Sequence, residues 1–149
     1  MTGRFPRFVL LDSGFWIGLL DPRDEQHARC HRISEKIQDF HVLVPWPTLY
    51  EFVNTRNMHR PDHVARLGAA FRMPGVRRID DGPYREDALA ECLASHARRR
   101  PMSLVDCVLR HMIADVNLHM DTLVTFNLRD FGDAHRLRQG LEVLHETPG

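Results

Sequence analysis

A charge excess of either sign is missing from this chain. Its 149 residues carry 20 Lys+Arg against 20 Asp+Glu, a formal net charge of zero. No global basic field is available to hold a polyanion, so local patches or bound cations would have to do that work. Cysteine is scarce. Cys30, Cys92 and Cys107 are odd in number, scattered, and form no CxxC pair. That argues against a disulfide framework or a zinc site and points to a reducing compartment. Long apolar runs are absent as well. Arg4 and Arg7 precede an apolar stretch from Phe8 to Leu20, but Asp12 interrupts it. The stretch is too short to span a bilayer, and no small-residue cleavage pattern follows it. The expectation is a cytoplasmic protein with no membrane contact. Repeats, low-complexity tracts and linkers are lacking too. One domain over 1–149 is therefore expected, long enough to bury a real core.

Short apolar runs are present, and they alternate with helical spacing. Phe8–Leu11 reads as a buried strand that leads directly into Asp12 and Ser13. Phe15, Trp16, Leu19 and Leu20 give a short helix ending before Pro22. Asp24 can cap a second helix to about Gln38. Val42–Val44, closed by Pro45, is a second strand. Pro45-Trp-Pro-Thr48 opens a helix to about Met58, and Pro61-Asp62 opens another to about Phe71. Val76–Ile79 is a third strand, followed by a turn at Asp80–Pro83 and a helix from Tyr84 to about Arg99. Ser103 starts a long helix to about Met120. Thr122–Thr125 and Leu141–Leu144 complete the strands. This alternation predicts an α/β fold with a mostly parallel central sheet and helices on both faces.

Acids stand near the carboxyl ends of these strands, where open α/β sheets bind their ligands. Each has an ordinary alternative. Asp12 can cap the helix at Phe15. Thr48-Leu-Tyr-Glu51 fits a capping box, in which Glu51 reaches back to the cap's N–H. Ser103-Leu-Val-Asp106 is another cap with an acid three residues on, worth up to about 1 kcal/mol through the helix dipole. Asn127 fits a turn and Asp130 a solvated loop. The functional alternative joins them: Asp12, Glu51 and Asp106 as oxygen ligands, with Thr125 and Asn127 beside them. Magnesium or manganese suits such a set. These ions take oxygen ligands, keep several waters and need few carboxylates plus a substrate phosphate.

Taken together, these stretches resemble the PIN-domain ribonucleases, specifically the VapC-type toxins of toxin–antitoxin pairs. The marks are Val9-Leu-Leu-Asp12-Ser13, Glu51 within Pro47-Thr-Leu-Tyr-Glu51-Phe, Ser103-Leu-Val-Asp106, and Thr125-Phe-Asn127-Leu-Arg-Asp130-Phe131. Their order covers essentially the whole chain. The resemblance implies a three-layer α/β/α sandwich and a Mg²⁺- or Mn²⁺-dependent endoribonuclease that cuts RNA phosphodiesters with water activated by the ion. It also implies a homodimer and a small cognate antitoxin. By position, Asp12, Glu51 and Asp106 match the family's regular acids, with Asp12 and Asp106 the expected metal ligands. Asn127 falls where many members carry a fourth acid, and Asp130 is a candidate to compensate. The spacing implies a small insertion near Asn117 to Asp121. With one acid replaced by an amide, we expect one tightly held ion in the free protein and any second ion to arrive with substrate.

Ser13 and Thr125 are expected to orient water or the scissile phosphate, and Arg56 and Arg129 to position substrate. The clusters Arg98-Arg-Arg100, Arg77-Arg78 and Arg56 with His59 and Arg60 read first as solvated faces, and in a nuclease as phosphate contacts. The 10 histidines read as solvated surface residues, with His27 a packing or site-rim exception. Trp16 and Trp46 read as core or dimer-contact residues. Two rivals remain open: an inactive PIN module acting as a binding or scaffold protein, and a phosphohydrolase acting on small phosphates.

Overall fold

The computed structural model describes residues 5–54 and 56–145. Arg4, named above, lies outside them. Five strands form one parallel sheet in the order β3-β2-β1-β4-β5: β1 (Phe8–Leu11), β2 (His41–Pro45), β3 (Val76–Ile79), β4 (Thr122–Val124) and β5 (Glu142–Leu144). Side chains alternate across a strand, and the core divides accordingly. Leu10, Leu43 and Leu123 point into one apolar layer, while Val9, Leu11, Val44 and Val124 point into the other. The second layer is closed by α1 (Ser13–Leu20), α2 (His27–Lys36), α3 (Trp46–Phe52) and α4 (Pro61–Phe71). The first is closed by α5 (Arg85–Ala97), α6 (Leu104–Ala114), α7 (Leu128–Phe131) and α8 (Ala134–Leu137). The architecture is therefore the expected three-layer α/β/α sandwich.

The strand order matters for the site. From β1 the chain moves outward one way through β2 and β3, then returns to the other side of β1 for β4 and β5. The direction reverses between β1 and β4. A crevice opens at such a switch point, beyond the carboxyl ends of the strands. Asp12 follows β1 and stands in this crevice, and Thr125 follows β4 and lies buried beside it.

Several helix boundaries differ from those expected. α3 begins at Trp46 rather than at a Thr48 cap, because Pro45 takes an extended N-cap conformation and Pro47 sits in the first turn. The capping box of Thr48 and Glu51 does not form. Thr48 is buried with its hydroxyl unpartnered, and Glu51 stands in the last turn of α3, not the first. The helix stops at Phe52, well short of Met58. α6 likewise stops at Ala114, where Asp115 turns extended. α7 and α8, of four residues each, were not anticipated. His63 departs from the solvated reading of the histidines: it is 2% exposed within α4. Trp16 is core, stacked on Phe52 at 5.6 Å.

Candidate active site

Three elements bring carboxylates to one cavity of about 360 Å³, lined by Asp12, Ser13, Gly14, Glu51, Asp106, Phe126 and Asn127. Asp12 caps α1, with its carboxylate accepting from Ser13 N at 2.8 Å and from the Thr125 hydroxyl at 2.9 Å. The cap and the site are thus the same residue. Thr125 is fully buried, and its hydroxyl also accepts from Asn127 N at 3.0 Å. It therefore ties the ends of β1 and β4 together and fixes Asp12, and it does not line the cavity. Burial pushes the Asp12 carboxyl above its ordinary range, against those hydrogen bonds.

Glu51 enters from α3. The residue is largely exposed, but its carboxyl faces the cavity. Lost hydration raises its pKa, the charge of Asp12 raises it further, and a hydrogen bond from the Ser13 side chain opposes both. The Ser13 side chain opposes the rise at Asp12 as well, so one hydroxyl lies beside two acids.

Asp106 stands in the first turn of α6, where the Ser103 hydroxyl accepts from its N–H at 3.0 Å, as the cap reading expects. Its carboxyl is pushed up to about 7. Burial contributes most, followed by a hydrogen bond with Asp130 and the charge of Asp12, while Ser103 opposes. The charges that raise Glu51 and Asp106 are thus carboxylates, crowded together around one space.

Asn127 caps α7, and its side chain accepts from Asp130 N at 3.3 Å. The amide nitrogen donates to Asp130 at 3.1 Å and to Asp106 at 3.4 Å. Position 127 therefore bridges two acids. Asp130 is not in a solvated loop: it is 8% exposed, on α7, against Asp106. The sequence held a signal for this, since Asn127-Leu-Arg-Asp130 repeats the cap-plus-acid spacing of Ser103-Leu-Val-Asp106. Phe126, which lines the cavity, was not singled out from the sequence.

The two arginines fall elsewhere. Arg56 lies exposed in the turn after α3, its carbonyl paired with His59 Nδ1 at 2.8 Å. Arg129 projects from α7 into a second, larger cavity. His27 packs, with Nδ1 2.8 Å from Gly18 O.

Among the described residues, no three His, Cys, Asp or Glu side chains already stand close enough to enclose a cation. The donor set nevertheless suits a hard divalent ion. It consists of oxygen atoms, and its carboxylates repel one another without a nearby counter-charge. Magnesium needs only one or two carboxylates and completes its shell with water and phosphate.

No family model and no curated protein matches this sequence. Solved structures do match. One is VapC20 of Mycobacterium tuberculosis, described as a sarcin–ricin loop-cleaving toxin. It is 18% identical, with a TM-score of 0.58, over 83% of this chain and 93% of that one. Among the described residues, no helix is long and apolar enough to cross a membrane. The sheet order, the two helical layers and this likeness together give the chain a PIN-type, VapC-like fold.

Proposed function

We propose that the chain is a Mg²⁺- or Mn²⁺-dependent endoribonuclease, the toxin of a toxin–antitoxin pair. One observation carries the reading: Asp12, Glu51 and Asp106, from three separate elements, face one cavity at the switch point with raised pKa values and no cationic partner lining it. A protein does not crowd carboxylates this way without cost, and a divalent ion is what offsets it.

Asp12 and Asp106 would hold the ion, with Glu51 bound directly or through water. When bound, the ion supplies neutralising charge for the phosphate and makes water a better nucleophile. The chain's own residues do the rest. Thr125 donates to Asp12, which favours its ionised form against burial and fixes its direction. Ser13 aligns Asp12 with Glu51. Asn127 bridges Asp106 and Asp130 by donating its amide to both, in a place where a fourth negative charge would repel them.

The test is cleavage of RNA by the purified chain, with Mg²⁺ or Mn²⁺ and then with excess EDTA. We expect Asp12→Asn and Asp106→Asn each to lower the rate at least about 100-fold while circular dichroism stays unchanged. Cleavage at the parental rate by both variants would overturn the assignment.

A second reading is a PIN module that binds RNA without cutting it. The Asn127 amide favours it, because part of the site's hydrogen-bonding capacity is already used between Asp106 and Asp130. RNA binding without cleavage under either metal would select it. A homodimer and a small antitoxin belong to the toxin reading. Their support is an exposed apolar surface on α3 and α4 that includes Trp46, Tyr50, Val53 and Val64.

A further inference from the structure

The larger cavity, about 740 Å³, opens on the other side of α7 from the carboxylates. Five arginines line it: Arg98, Arg100, Arg110, Arg129 and Arg136. Arg110 is already committed, donating to both carboxylate oxygens of Asp133 at 2.7 and 3.0 Å and lying 3.7 Å from Glu91. Arg100 and Arg129 cross-tie the walls, with Arg100 reaching Arg129 O at 3.5 Å and Arg129 reaching Pro101 O at 3.4 Å. Arg98 and Arg136 are exposed. The acids of the lining are used internally: Asp133 and Glu91 face Arg110, and Asp130 faces Asn127 and Asp106. Arginines outnumber acids in the lining, so the space that remains carries an excess of positive charge.

We propose that this cavity seats the phosphates of an RNA strand on one side of the scissile bond. The inference rests on the ribonuclease reading and deepens it by assigning the strand's path. α7 is the partition. Asn127 lines the acidic side and Leu128 and Arg129 the basic side, while Asp130 lines the basic cavity and accepts from the Asn127 amide at 3.1 Å. A four-residue helix is only about 6 Å long, so a strand crossing it moves from the carboxylates to the arginines within a nucleotide or two. Guanidinium forks suit phosphate oxygens, and such contacts set register without reading sequence. The other basic clusters are placed less well. Arg77 lies over the Phe8 ring at 5.6 Å and Arg78 over the Trp46 ring at 6.0 Å, on the far edge of the sheet. Arg60 pairs with Asp62 at 3.3 Å. Only the cluster at Arg98–Arg100 meets the site through α7.

The experiment measures binding apart from catalysis. A labelled single-stranded RNA of about a dozen nucleotides is titrated in EDTA against the full chain carrying Asp12→Asn, across a range of salt. The Arg98→Ala/Arg136→Ala double variant should bind about tenfold more weakly. Its slope of log affinity against log salt should be shallower by about 1.4, as expected for two lost phosphate contacts on a single strand. Arg72→Ala, on the exposed end of α4, should change neither quantity. Unchanged affinity and slope in the double variant would overturn the proposal. Cleavage by the parent would then leave the ribonuclease reading standing. If the parent neither binds nor cleaves RNA, both fall together. A polyglutamate peptide is run in parallel. Loss of peptide binding in the double variant with RNA binding intact would make the cavity a protein-docking site and overturn the proposal.

Discussion

Asp106 shows how one residue can be a structural cap partner and a strained acid at once. Its N–H completes the Ser103 cap, while its carboxyl, pushed up to about 7, is crowded by burial, Asp130 and Asp12. Because the folded pKa lies above the ordinary 3.8, the folded protein holds more protons than the unfolded chain between those values. The metal-free protein should therefore lose stability as pH rises from about 4 to about 7, and Asp12 and Glu51 shift in the same direction. Asp81, Asp115 and Asp133 are shifted down, so their contribution is lost only below that window. Urea unfolding in EDTA at several pH values should show the decline in the parent and a shallower one in Asp106→Asn. Added Mg²⁺ should reverse the slope in the parent, because binding to ionised carboxylates stabilises the folded state. Parallel curves for parent and variant would remove Asp106 from this role.

The elements were legible in the sequence where local rules decide them. β1, α4 and β3 lie where apolar runs and Pro61 place them, and Ser103 caps α6 as its spacing says. The failures share a cause in tertiary contacts. α6 was expected to reach Met120 because its apolar spacing continues, but the chain leaves the helix to wrap around Arg138. That guanidinium donates to Ile113 O at 2.8 Å, Met120 O at 3.3 Å and Leu118 O at 2.6 Å, and also to Asp115 O. The Tyr84 hydroxyl adds a bond to Asp115 at 2.7 Å. A single arginine, 23 residues beyond the C-cap Asp115, thus sets the helix end, and no local pattern announces it. The extra residues implied near Asn117 to Asp121 are the ones this clamp folds. Arg138→Ala should cost about 3–5 kcal/mol in urea unfolding, since four carbonyls lose a charged donor in half-buried surroundings. Arg138→Lys, which keeps the charge but not the fork, should recover only part of that. A loss under about 1 kcal/mol for the alanine variant would mean that the loop holds its shape without the clamp.

For the molecule as a whole, the site was legible as a set and not as single residues. Asp12, Glu51 and Asp106 each have a local explanation, and only the strand order brings them to one crevice. Asp130 was underrated because burial by α7 cannot be read from a four-residue stretch. Burial also leaves one surface unexplained. On α3 and α4, Trp46 is 40% exposed, Tyr50 75%, Val53 44% and Val64 50%, around a cavity of about 570 Å³. Apolar side chains gathered in this way mark an interaction face. The toxin reading supplies a second copy of the chain as its occupant. Symmetric pairs of this kind bury the same patch on both subunits, so one substitution acts twice. Val64→Asp places a charge on that patch in each subunit, on an exposed helix position where folding tolerates it. Sedimentation equilibrium should show a dimer for the parent and a monomer for the variant, with unfolding midpoints differing by no more than the lost association explains. A monomeric parent, or a variant that remains dimeric, would remove the self-association and leave this face to a different partner.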